Sequence, residues 1–167
     1  MAFSSSLAPP HKKNDVFISF RGTPPHSEDT RNTFTSHLYD AFRRKNIKAY
    51  IDEESLNKGD EISPVLKKAI QESKISVVIL SENYASSSWC LEELSWILRR
   101  KEIDDHVVVP VFYNIKPSIV REQQDSFGVA FAGHEERFKD SMHKVTRWRN
   151  ALRTVANLCG WDSSLVR

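Results

Sequence analysis

Two adjacent carboxylates flanked by two indoles are the most chemically suggestive feature of this chain. The stretch from Ser86 to Lys101 reads SSSWCLEELSWILRRK, with Glu92 and Glu93 between Trp89 and Trp96. On a helical wheel of about 100° per residue, Cys90, Leu91, Leu94, Ile97 and Leu98 make a core arc. Glu92, Ser95 and Arg99 fall on the opposite arc, which predicts that Glu92 is a solvated surface charge. Glu93 falls at the seam, four residues after Trp89 and three before Trp96. Two readings of Glu93 are open. Either it is a boundary acid paired with Arg99 or Arg100, or it is a carboxylate beside an aromatic wall, aimed into a cleft. In the second case it can stabilise positive charge developing on a sugar ring, or position a water.

Such a group works only if the fold brings other residues to it. Four segments have strand character: DVFISF (15–20), IKAYI (47–51), ISVVIL (75–80) and HVVVPVFY (106–113). The last two are nearly continuous apolar runs, as in a parallel sheet covered on both faces. Helical patterns alternate with them. One starts near Asp29 and stripes Phe34, Leu38, Ala41 and Phe42. A second follows the Ser63-Pro64 start signal with Val65, Leu66, Ala69 and Ile70. The Trp-flanked helix is third, and two more cover about 125–138 and 143–159, the latter burying Val145, Trp148, Leu152, Val155 and Leu158. This alternation predicts an open, doubly wound α/β sheet of flavodoxin-like type, a three-layer sandwich with order 2-1-3-4-5. The pattern itself displays no fifth strand.

In such sheets ligands bind beyond the carboxyl ends of the strands, where the order reverses between strands 1 and 3. The loop after strand 1 is RGTPPHSEDTR, and SENYASSSW after strand 3 feeds directly into the Glu92–Glu93 helix. Arg21 and Gly22 stand at the reversal. They form a strand-end turn, with Arg21 paired to Glu28 or Asp29, or they meet nucleotide phosphate and ribose. No GxGxxG is present, which excludes a Rossmann dinucleotide site. DEESLNKGDEI (52–62), after strand 2, reads as an acidic surface loop or as part of the same site.

Composition sets bounds. The 167 residues are 40% hydrophobic and 28% charged, with a net charge of +2. That suits one soluble domain and gives no field favouring nucleic acid or membrane. Cys90 and Cys159 sit in apolar helical patterns without metal spacing, so both are expected to be buried, reduced thiols. The histidines show no metal geometry, and Arg43–Lys45 and Arg99–Lys101 read as solvated helix ends. No apolar run approaches the roughly 20 residues of a membrane span. Residues 1–13, MAFSSSLAPPHKK, are expected to be a disordered lead-in and not a secretory signal. A helix ending at Gly160 and a new segment beyond it suggest a domain over 14–161. Residues 162–167 would begin a linker in a longer protein.

The segments DVFISFRG, EDTRNTFTSHLYDAF, YIDEESLNKGDEI, AIQESKISVVILSENYASSSWCLEEL and VVPVFYNIKPSIVREQ, in this order, resemble a plant TIR (Toll/interleukin receptor type) domain. Domains of this kind stand at the N-terminus of intracellular immune receptors with nucleotide-binding and leucine-rich-repeat domains. The resemblance implies cleavage of NAD⁺, or alternatively NADP⁺, as substrate and not prosthetic group. Products are nicotinamide and an ADP-ribose-type or cyclic nucleotide. It implies that Glu93 is the catalytic glutamate, and that Phe20, Arg21, Gly22, Thr23, Asp52, Lys58, Gly59, Ser87 and Trp89 bind the nucleotide, with Ser81 on the wall of Ser87 and Trp89. It further implies self-association, as dimer or tetramer, through Ser36-His37, Gly128, Lys144 and Trp148, and signalling of immunity and hypersensitive cell death. The cytoplasm is the implied compartment, with the nucleus as a second one. One departure stands out: the family's unbroken SFRGEDTR carries five extra residues here, Thr23–Ser27. A non-catalytic TIR–TIR scaffold is the competing function. A phospho-acceptor receiver on the same fold is disfavoured because DVFISF lacks the acidic cluster that Mg²⁺ chemistry needs.

Overall fold

The computed structural model describes residues 12–21, 34–51 and 62–163. Five parallel strands form one sheet of order β2-β1-β3-β4-β5, where β1 is Asn14–Ser19, β2 Ala49–Ile51, β3 Ser73–Leu80, β4 Val107–Phe112 and β5 Trp161–Asp162. Among the described residues the helices are α1 (Ser36–Arg44), α2 (Pro64–Gln71), α3 (Ser88–Asp104), α4 (Pro117–Glu122), α5 (Asp125–Arg137) and α6 (Met142–Ala156). The expected flavodoxin-like sheet is therefore present.

β3 and β4 read as apolar runs because both of their faces are covered,. On one face Phe17, Val78, Leu80, Val108 and Phe112 meet the buried stripes of α2, α3, α5 and α6. On the other, Val16, Ile18, Val77, Ile79 and Val111 meet Leu38 and Phe42 of α1, with Phe34 packed beside them. Phe34 stacks on Tyr113 and Trp161, ring centroids 5.1 and 5.7 Å apart.

Local signals set the helix starts. Ser63 caps α2 by accepting from the Leu66 amide, with Pro64 at the first helical position,. Ser87 does the same for α3, accepting from the Cys90 amide at 3.2 Å. α3 ends where Asp105 turns into the left-handed region (φ 55°),.

The fifth strand of the expected order, which the apolar pattern did not display, is two residues long and pairs Trp161 with Val111 and Asp162 with Phe112. Ser163 accepts a hydrogen bond from the Asn114 amide at 2.9 Å, so ordered structure reaches past the domain end placed at 161. Residues 164–167 lie outside the described part, as does most of the 1–13 lead-in. Just before β5, at Gly160, the chain runs hard against β4: a Cβ at 160 would lie 2.2 Å from the Pro110 carbonyl oxygen. α4 was not anticipated, α6 stops at Ala156, and Cys159 beyond it is exposed while Cys90 is buried. Val65 is 59% exposed; the buried residues of α2 are Leu66, Ala69 and Ile70.

Candidate active site

The order reversal between β1 and β3 is bridged by one side chain. Tyr84, in the 3₁₀ turn Tyr84–Ser86 after β3, is fully buried. Its hydroxyl meets Ser19 Oγ, at the end of β1, at 2.9 Å, and donates to the Cys90 carbonyl in the first turn of α3 at 3.1 Å. Cys90 Sγ in turn donates to the Phe20 carbonyl at 3.6 Å. The end of β1, the turn after β3 and the start of α3 are thus tied together. Within them lie Phe20, half-buried Arg21 and Trp89, buried Ser81 and Ser87, and Glu93 on the second turn of α3.

Glu93 is only 6% exposed. Burial raises the Tyr84 hydroxyl pKa well above that of free tyrosine, with the neighbouring Cys90 thiol and Glu93 carboxyl pushing it the same way,. Tyr84 therefore stays a neutral hydrogen-bonding phenol beside the Glu93 carboxyl. Neither Tyr84 nor Ser19 was singled out from the sequence. The available signal was an aromatic residue inside the polar stretch SENYASSSW, where a loop has little reason to bury one.

The wheel misplaced Glu92. It is 9% exposed, accepting on the same oxygen from Arg147 Nη2 at 2.5 Å and Trp148 Nε1 at 2.7 Å. α6 packs over Glu92, while Arg99 on the same arc stays exposed. The same packing corrects Trp148, expected at a subunit contact: it is fully buried, its ring edge-on to His134 and Phe138. Arg100 pairs with Asp104 on its own helix.

A cavity of about 580 Å³ opens at the carboxyl ends of β1 and β2, lined by Phe20, Thr35, Ser36, Tyr39 and Ile51 among others. Glu93 is not among its lining residues. Gly22, Thr23, Asp52, Lys58 and Gly59 lie outside the described residues, as does the Thr23–Ser27 insertion. His37 is exposed on α1, Gly128 is half-buried on α5 and Lys144 half-buried on α6. α1 and α6 pack on opposite faces of the sheet, so Ser36-His37 and Lys144, all expected at self-association contacts, lie on two separate surfaces. Among the described residues no three His, Cys, Asp or Glu side chains converge as metal ligands, and no helix is long and apolar enough to cross a membrane.

The model of the TIR domain family matches residues 13–167. This chain is a TIR domain. It is 50% identical to the disease resistance protein RPV1 of Vitis rotundifolia over 163 residues, covering 96% of this chain and 11% of that protein. It is 48% identical to the TMV resistance protein N of Nicotiana glutinosa over 160 residues, 96% of this chain and 13% of that one. The chain thus spans roughly an eighth of these relatives' length. Among solved structures it resembles the TIR domains of the activated Roq1 resistosome that directly recognizes the pathogen effector XopQ. There the TM-score is 0.80 and the identity 48%, over 92% of this chain and 89% of that one. The TIR domain described here is of the kind carried by plant disease resistance proteins.

Proposed function

We propose that this TIR domain is a self-association-dependent NAD⁺ nucleosidase that initiates immune signalling and cell death within a larger receptor. The observation that carries the reading is Glu93: a carboxylate 6% exposed, on the helix that begins beside the reversal point of the sheet.

One carboxylate suffices for this reaction. Ordinary glycosidases need a second carboxyl group to protonate a poor leaving group. The nicotinamide of NAD⁺ is already a pyridinium cation. When its bond to the ribose C1′ breaks, the electron pair goes to the ring nitrogen and nicotinamide departs neutral. The positive charge passes to the ribose as an oxocarbenium-like species, next to which the Glu93 carboxylate is stabilising. Its shielding from water makes that interaction stronger than it would be in bulk solvent. Water then adds at C1′ and loses a proton, giving ADP-ribose; an internal nucleophile of the adenine half gives a cyclic product. Phe20, Arg21, Ser87 and Trp89 are the described residues assigned to hold the nucleotide. Arg21 supplies positive charge for phosphate.

The Roq1 comparison concerns TIR domains within an activated resistosome, which supports assembly as the active state here. The test is chromatographic: concentrated domain incubated with NAD⁺ releases free nicotinamide, and Glu93→Ala does not. Release by Glu93→Ala at the parent rate would reject the assignment.

A further inference from the structure

A second cleft, of about 340 Å³, lies between α2, α3 and α6, away from the reversal point. Its walls carry four cations from three helices: Lys67 of α2, Arg99 of α3, and Lys144 and Arg147 of α6. Among the described lining residues one carboxylate faces them, Glu92, and Arg147 and Trp148 already occupy it. Among the described residues no carboxylate comes within ion-pair distance of Lys67, Arg99 or Lys144. Trp96 also lines the cleft, and its indole N–H is buried with no acceptor among the described residues. Lys67 Nζ stands 4.9 Å from the Trp96 ring centroid.

Like charges gathered in a concavity repel one another and raise the local concentration of counter-ions. A buried donor without an acceptor costs free energy that a ligand oxygen can recover. The volume is at the lower end of small-molecule sites. From this we infer that the cleft is a binding site for a phosphate-bearing small molecule. The multivalent anion is held by Lys67, Arg99 and Lys144, with Trp96 as a neutral donor. The site is separate from Glu93.

Calorimetric titration of the 167-residue chain with pyrophosphate, ADP and adenosine tests this. Pyrophosphate and ADP bind, adenosine does not, and binding weakens as salt is raised. Equal affinity for the two anions makes phosphate the whole ligand; tighter ADP adds a nucleoside contribution. Lys67→Gln/Arg99→Gln binds both anions at least about tenfold more weakly, whereas Glu93→Gln binds them like the parent. Lys144 is left in place because it is also a candidate self-association contact. Equal melting temperatures of parent and double variant confirm folding, and the Trp96 indole N–H resonance shifts on pyrophosphate addition. No binding of either anion, full retention by the double variant, loss in Glu93→Gln, or an unmoved Trp96 resonance would each overturn the site.

Discussion

Glu92 and Glu93 are chain neighbours with different surroundings, and the difference comes from what packs over each side of α3. Glu92 meets Arg147 and Trp148 from α6; Glu93 sits toward Tyr84 and the strand ends. Glu92→Ala leaves the buried Trp148 indole N–H without its acceptor. The expected cost is about 1–3 kcal/mol, read as a drop of several degrees in melting temperature. Glu92→Gln keeps an acceptor oxygen there and should retain most of that stability. Equal melting of Glu92→Ala and parent would show that the interaction contributes nothing. The wheel set Glu93 at a seam, a position that follows from α3 alone, and the structure buries it there. The wheel misjudged Glu92, because a wheel of one helix cannot show that another helix covers part of its polar arc.

At the scale of elements, β4 carries two testable features. His106, just before it, is buried and shares a 2.7 Å hydrogen bond with Ser76 of β3. Burial, with Lys12 and Arg100 acting in the same direction, lowers its pKa to about 4. The unfolded ring takes up a proton near pH 6.5 while the folded one resists. The stability from this group is therefore full above about pH 6.5 and declines as pH falls toward about 4, by at most about 3 kcal/mol. His134, buried against the Ala85 carbonyl, is lowered in the same direction. Denaturant melts between pH 7 and pH 4 should fall less steeply for His106→Gln than for the parent; parallel profiles would contradict the assignment. Gly160 is the second feature. Gly160→Ala drives a Cβ into Pro110 and should cost about 1–3 kcal/mol, with faster amide exchange at Val111 and Phe112. Unchanged exchange there would mean that β5 adjusts freely. Strands β3 and β4 were legible because burial on both faces writes long apolar runs, and β1 and β2 because β-branched and aromatic residues crowd DVFISF and IKAYI. β5 was not, since two residues carry no periodicity and its position depends on contact with Pro110.

For the whole molecule, the sheet separates α1 from α6, so the contact residues expected on these helices lie on two different surfaces. If assembly completes the site, Ser36→Ala/His37→Ala should lower both the oligomeric fraction and nicotinamide release, with activity recovering at higher protein concentration. Full activity from a monomeric double variant would separate catalysis from association. Fold and family were readable because alternation and motif order survive without knowledge of contacts; the contact surfaces were not, because they depend on which helix lies on which face. The most direct measurement is nicotinamide release from NAD⁺ by Glu93→Gln and Glu92→Gln side by side, each shown to be folded and equally assembled. The account predicts that Glu93→Gln loses activity by about a hundredfold or more while Glu92→Gln stays within a few-fold of the parent. Comparable loss in both, or comparable activity in both, would contradict it.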